Sequence, residues 1–422
     1  MHSVTNAIPT GTIASIPAKA HAHRALICAA LANSPSTILL SRTSKDIDAT
    51  MESLRGLGAH VVYENKVVTV TPGPVPAKGN VVPHESGTTL RLLLPVAASI
   101  CNDVDVDAKG RLPDRPLEPM LSEMKAHGVT FSQYKPPFTM TGRLQGGNFS
   151  MVGDVSSQFF SGLLLAAPQI GLSTITSTTP LQSSDYVTLT TETMRDFGVE
   201  VEHTLPDTNI NEAFTVPFGA SFIGRDNYPI EGDWSNAAIW MVAAGMTGKP
   251  ITITGMNKNS VQADRRIMQV MIDAGCDVVW DGMNVTVTGR ASKPIHVDLE
   301  QMPDMLPVMA ALACSISGES SFIKGARLRL KESDRLIAVA NLVRDLGGTV
   351  REDGDDLYII GSGILKGGHG DCVNDHRLVM AGTLMALISD NPVTLKDSEA
   401  ITKSYPDFFE DWNLLGGDAH GI

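Results

Sequence analysis

ARLRLKESDRL, residues 326–336, carries six charges, four of them cationic, in a chain whose formal net charge is −13. Arg327, Arg329, Lys331 and Arg335 surround the carboxylates Glu332 and Asp334. Planar guanidinium forks suit carboxylate and phosphate oxygens. Carboxylates set among cations can handle protons beside a bound anion. A solvated helix face is the plainer reading of such a run. Similar groups recur elsewhere, however: Lys19 and Arg24, Arg111 and Arg115, Ser156-Ser157-Gln158, Ser183 and Tyr186, Asp304, and Asn374-Asp375-His376-Arg377. Together they are the equipment for binding an anionic substrate and moving protons on it.

Those residues need elements that bring them together, and an internal repeat supplies candidates. Amphipathic stretches end at Gly58, Gly128, Gly198, Gly275, Gly347 and Gly416, at intervals of 70, 70, 77, 72 and 69 residues. Glycine just past a helical pattern is the expected left-handed cap, and the β-branched residues after most of them predict a strand. A second series becomes apolar all round after a polar start, as in HAHRALICAALA and SSQFFSGLLLAAP. Its markers Arg24, Arg91, Gln158, Asn236, Asp304 and Arg377 lie 67, 67, 78, 68 and 73 apart. Helices of that kind are buried. Six units of about 70 residues, each with one buried helix, one half-exposed helix and strands such as KVVTVTP, predict an α/β protein of two domains with three units each. The widest interval puts the crossover near residues 226–235. The chemical residues fall at helix starts, where unpaired N–H groups and the macrodipole favour anions. Parallel buried helices would gather those starts on one face.

Composition is that of an ordinary globular chain, 43% hydrophobic and 19% charged. The first residues, MHSVTNAIPTG, predict no secretory signal, and RLLLPVAASIC is too short to span a membrane. Five scattered cysteines without CxxC spacing predict buried free thiols and a cytoplasmic location. Net negative charge disfavours nucleic acid as a partner. His21 and His23 have no nearby ligand partners, and no GxxxxGK[ST] loop is present, so neither a metal nor another cofactor is expected.

The ordered motifs PAKAHAHRALICAALA, SGTTLR, LPDRP, DVSSQF, SSDY, EGDWS, MPD, LKESDR, NDHR and KSYPDFF resemble those of the 5-enolpyruvylshikimate-3-phosphate synthase family nearly end to end. The resemblance implies a two-domain inside-out α/β barrel, each domain three βαβαββ repeats around buried parallel helices. Residues 1–16 with 232–422 would form one domain and 17–231 the other, with the active site in the cleft and closure on substrate. It implies transfer of the enolpyruvyl group of phosphoenolpyruvate to the 5-hydroxyl of shikimate 3-phosphate, by a monomer without a metal. Lys19, Gly87, Arg115, Arg335, Arg377 and Lys403 would line the phosphoenolpyruvate site. Gly87 would allow close approach to the ligand. Lys19, Ala20, Arg24, Ser156, Ser157, Gln158, Ser183, Tyr186, Asp304 and Lys331 would hold shikimate 3-phosphate. Asp304, Glu332 and Lys19 would handle protons, with the division of labour between the carboxylates open.

The chain departs from that pattern in places. Ala18 and Ala20 flank Lys19 where many members have serine, which removes a hydrogen bond worth about 1 kcal/mol. Arg327 stands where some members have asparagine and is placed to compensate; Leu92 stands where proline is common. Two other readings remain: UDP-N-acetylglucosamine enolpyruvyl transferase, and a non-catalytic anion-binding relative. The first usually has a reactive cysteine five residues before the arginine matching Arg115, and this chain has Gly110 there.

Overall fold

The structure is a computed structural model that describes residues 1–207 and 211–422. The chain divides into two compact units, one made of residues 1–16 and 231–422 and the other of residues 17–230. Each has its own hydrophobic core.

In the unit of residues 17–230 the buried helices are Lys19–Ala30, Gly87–Ile100 and Ser157–Ile170; in the other they are Trp234–Thr247, Leu306–Ser315 and His376–Ala386. Their sequences are apolar on all sides because neighbours cover every side. Gly87–Ile100 and Ser157–Ile170 approach so closely at Gly162 that a Cβ there would lie 2.5 Å from the Arg91 carbonyl oxygen. The half-exposed helices are Lys45–Gly56, Met120–Ala126, Asp185–Asp196, Ile267–Asp273, Arg335–Asp345 and Phe408–Leu414. All six end alike. The predicted glycines have φ from +87° to +105°, and each glycine N–H bonds the carbonyl three residues back. The following N–H reaches five residues back, as Ala59 does to Leu54 and Val199 to Met194. This double bond is the Schellman closure, and only glycine takes its left-handed position without strain.

Every four-stranded sheet combines one parallel pair with antiparallel neighbours, the signature of a βαβαββ unit. Gly147–Met151 pairs parallel with Ser173–Ser177, for example, which pairs antiparallel with Ala213–Val216. Three sheets borrow a strand from far along the chain. Tyr228–Pro229 pairs parallel with Ser36–Leu39, Gly11–Ala14 with Ile251–Thr254, and His2–Val4 sits between Val393–Lys396 and Ala419–Gly421. Two local expectations fail. Arg111 and Arg115 do not open a helix: they flank a 3-10 turn, Leu112–Asp114, and the helix waits until Met120. Pro116 and Pro119 disfavour helical backbone in the residues before them. ARLRL is likewise a 3-10 turn, and the helix starts at Arg335, where the Asp334 side chain accepts from the Ile337 N–H.

Candidate active site

In the unit of residues 231–422, the starts of the buried helices meet. Asp375 caps His376–Ala386 by accepting the Arg377 N–H at 3.0 Å, and Arg377 Nη1 donates to the Ser235 carbonyl in the first turn of Trp234–Thr247. Asp304 lies in the 3-10 turn leading into Leu306–Ser315. Arg335 joins these parts. Its Nε and Nη2 clasp both Asp375 oxygens at 2.8 and 3.1 Å, Nη1 donates to Asp304 at 2.7 Å, and Nη2 is ion-paired with Glu332 at 2.6 Å. Ser333 adds a hydroxyl to Asp375 at 2.9 Å, and Lys331 reaches the same Asp304 oxygen at 2.9 Å. Lys403 donates to the Asn374 carbonyl at 2.7 Å. The opening KESDR run is therefore not a solvated face: the Arg335 side chain is 2% exposed and that of Asp375 fully buried.

Charge decides the protonation states here. Burial pushes the Asp304 carboxyl up, but Lys331, Arg335 and Arg377 together outweigh it and hold it well below the ordinary carboxylate range. Lys331 is lowered, by burial first and then by Arg327 and Arg335, against the pull of Asp304. Arg335 is held in its cationic form, because Asp375, Glu332 and Asp304 outweigh its burial. Arg377 differs: its Nε is buried with no hydrogen-bond partner among the described residues, and its bond to Ser235 is a long 3.3 Å. One arginine is saturated by carboxylates and its neighbour retains donor capacity.

The unit of residues 17–230 gathers the second set, again at helix starts. Lys19 opens its helix and donates to Asp46 at 2.7 Å. Ser156 caps Ser157–Ile170. Gln158, in that first turn, receives Arg91 Nη1 at 3.1 Å and donates to Thr88 at 2.9 Å, so the second and third buried helices are locked start to start. The first joins them through His23, Thr50 and Thr89, with hydroxyl contacts of 2.6 and 2.7 Å. Burial, then Lys19 and Arg24, lower His23 well below its ordinary value, so it sits there as neutral imidazole. Ser183 takes φ +54° one residue before the cap of Asp185–Asp196, and Tyr186 lies in that helix's first turn.

Two of the residues that the resemblance places against ligand also meet protein groups closely. Arg24 is 1% exposed and spends its fork on protein: Nε on Thr190, Nη1 on the Ala20 carbonyl, Nη2 on the Tyr186 carbonyl and Ser161. It braces the start of the first helix against Tyr186. At Gly87 the group at closest approach is Arg115, since a Cβ there would lie 2.5 Å from Nη1 and 2.9 Å from Cζ. Two contributors were missed from sequence, Asp46 and Arg91; Asp375 was named at its helix start, but its clasp on Arg335 was not foreseen, and nothing local marks Asp46 as the partner of Lys19.

Repeated α/β units whose helix starts present cations interleaved with carboxylates have the constitution of an anion-binding acid–base enzyme. The EPSP synthase (3-phosphoshikimate 1-carboxyvinyltransferase) family model matches residues 7–412. The 3-phosphoshikimate 1-carboxyvinyltransferase of Clostridium kluyveri is 36% identical over 413 residues, covering 97% of this chain and 95% of the relative. That of Methanocorpusculum labreanum is 35% identical over 418 residues, 97% of each chain. The solved EPSP synthase of Acinetobacter baumannii shares the fold, with a TM-score of 0.80 at 22% identity over 99% of both chains. The chain belongs to the EPSP synthase family.

Proposed function

We infer that the chain transfers the enolpyruvyl group of phosphoenolpyruvate to the 5-hydroxyl of shikimate 3-phosphate and releases phosphate, a step of the shikimate pathway toward aromatic amino acids. Family membership supports the reaction. The observation that best supports the residue roles is Asp304, one carboxylate touched by two cations and ionised under the influence of a third. Arg377, Arg335, Lys403, Lys19 and Arg115 are read as the phosphoenolpyruvate clamp. Arg24, Ser156, Ser157, Gln158, Ser183, Tyr186 and Lys331 are read as the receptors of shikimate 3-phosphate. The substrates would have to be kept from water, which could hydrolyse the intermediate.

The physical logic is a redistribution of charge. While Lys331, Arg335 and Arg377 face Asp304, the carboxylate is too well stabilised to be a good base. Once the cations turn to substrate phosphate and carboxylate, Asp304 loses part of that stabilisation and its proton affinity rises beside the attacking hydroxyl. Glu332, paired with Arg335, is the candidate to deliver a proton to the methylene carbon, with Lys19 as a third proton-handling group. The remaining cations offset the charge growing on the departing phosphate.

A reading as UDP-N-acetylglucosamine enolpyruvyl transferase fares worse on a specific point. Gly110, in the loop where that enzyme usually has its cysteine, has φ +59°, and a Cβ there would crowd Glu85 at 2.9 Å. Any side chain at that position is strained. We take the chain to be a cytoplasmic monomer acting on small anions; its five cysteines are buried free thiols, and no helix among the described residues is long and apolar enough to cross a membrane. Phosphate release measured with phosphoenolpyruvate and shikimate 3-phosphate, set beside UDP-N-acetylglucosamine as acceptor, tests the reading. Turnover with the sugar nucleotide alone would overturn it.

A further inference from the structure

Arg335 is fixed by three carboxylates, whereas among the described residues the Arg377 guanidinium makes one long bond, to a backbone carbonyl. What holds that carbonyl is the loop Ser260–Gln262 and the 3-10 turn Ala263–Arg266. Gln262 accepts the Trp234 N–H at 3.1 Å and donates to the Gly232 carbonyl at 2.9 Å, gripping the chain just before the helix. Asp264, 1% exposed, accepts the hydroxyl of Ser235, the residue whose carbonyl receives Arg377. We propose that Asp264 is a positioning residue for Arg377: it holds Ser235 in the first helical turn and thereby sets where an anion-binding guanidinium stands, without occupying that guanidinium's fork. The proposal rests on reading Arg377 as part of the phosphoenolpyruvate clamp.

The arrangement has an electrostatic side. A carboxylate clasped directly on Arg377 would hold it firmly but compete with the anionic ligand. Support through a serine relay avoids that competition. The groups acting on Asp264 include Arg377, Asp304, Asp233 and the Ser235 hydroxyl. Burial pushes its carboxyl up, Asp304 and Asp233 add to that, Arg377 and the Ser235 hydroxyl pull it back, and the balance leaves it raised to about 6. At neutral pH the ionised Asp264 places a negative charge near the anion site; below about 6 the proton removes that charge while the Ser235 contact can persist. Phosphoenolpyruvate should therefore bind the wild type better, relative to a variant permanently neutral here, as pH falls through that range.

The test uses the full chain with Asp264→Ala, Asp264→Asn and Ser235→Ala. Asp264→Ala should raise KM for phosphoenolpyruvate about tenfold and leave KM for shikimate 3-phosphate within about twofold. Ser235→Ala should shift the same constant by a smaller factor. Asp264→Asn keeps an acceptor for the hydroxyl, so its KM should match that of the wild type near pH 5 and fall several-fold below it at pH 7, the ratio of wild-type to Asp264→Asn KM rising between those values. Equal effects of alanine and asparagine on both substrates, or a ratio flat with pH, would overturn the proposal. Titration calorimetry with inorganic phosphate separates the two layers. Wild-type phosphate binding with no loss in Asp264→Ala sinks the positioning role alone, whereas no turnover and no phosphate binding by the wild type sinks the reading of Arg377 as well.

Discussion

Replacing Gly87 by alanine should disable the phosphoenolpyruvate site while leaving the fold intact. Gly87 is the first residue of its helix, after the Ser86 cap, and its backbone lies outside the left-handed region, so alanine fits locally and is the better helix former. The new methyl would sit 2.5 Å from Arg115 Nη1 and 2.9 Å from Cζ. To regain ordinary contact the guanidinium has to withdraw by about 1 Å. Because that group is the end of a flexible, half-exposed side chain, it can withdraw at little cost to the fold. Misplacing a binding group by about 1 Å can cost up to a hundredfold, and weakening a charge-assisted hydrogen bond by about 1.5–3 kcal/mol corresponds to about 10- to 100-fold. We therefore expect KM for phosphoenolpyruvate to rise about 10- to 100-fold, with KM for shikimate 3-phosphate nearly unchanged and Tm within about 2 °C of wild type. Steady-state kinetics with each substrate varied, plus a thermal melt, decide it. An unaltered phosphoenolpyruvate KM, or a loss shared by both substrates, would refute the reasoning.

Other expectations follow from the same geometry. Asp375→Ala strands the buried Arg335 and removes a helix cap, so stability should drop by about 3–5 kcal/mol, visible as a lowered denaturant midpoint and loss of activity. Ala20→Ser restores a hydroxyl at the start of the first helix and should lower KM for shikimate 3-phosphate about fivefold; no improvement would show that the missing serine is not limiting. Two acids, the half-buried Asp304 and the buried Asp264, give opposite pH signatures. Asp304, held low, contributes stability above the ordinary aspartate value of 3.8, and that contribution is lost as pH falls further. Asp264, raised to about 6, contributes stability below 3.8 that is lost as pH rises to about 6, on the order of 3 kcal/mol for this buried group. Thermal melts of Asp264→Asn between pH 4 and 6.5 should lack that decline.

The sixfold repeat was legible because helix caps and all-apolar helices leave periodic marks that survive any choice of contacts. Glycines at 58, 128, 198, 275, 347 and 416 could be read as left-handed caps from position alone, and all six are. The helix-start cations were legible for the same reason. What escaped depends on pairing across the fold. Asp46 meets Lys19 from 27 residues away, and Asp375 meets Arg335 from 40 away, although each looks like an ordinary helix-start acid. At Gly87, expected to allow close approach of a ligand, the close protein group is Arg115, which nothing in the local sequence indicates. The contacts of Arg24 to Thr190, Ser161 and two carbonyls likewise link elements far apart in the chain, which the sequence around it does not mark.

The most direct measurement of the central claim is phosphate release by the purified chain, with phosphoenolpyruvate and shikimate 3-phosphate supplied separately and together. Release that requires both substrates, and falls by orders of magnitude in Asp304→Asn while that variant stays folded, is the predicted result. Wild-type phosphate release from phosphoenolpyruvate without shikimate 3-phosphate, or undiminished turnover in Asp304→Asn, would contradict the account.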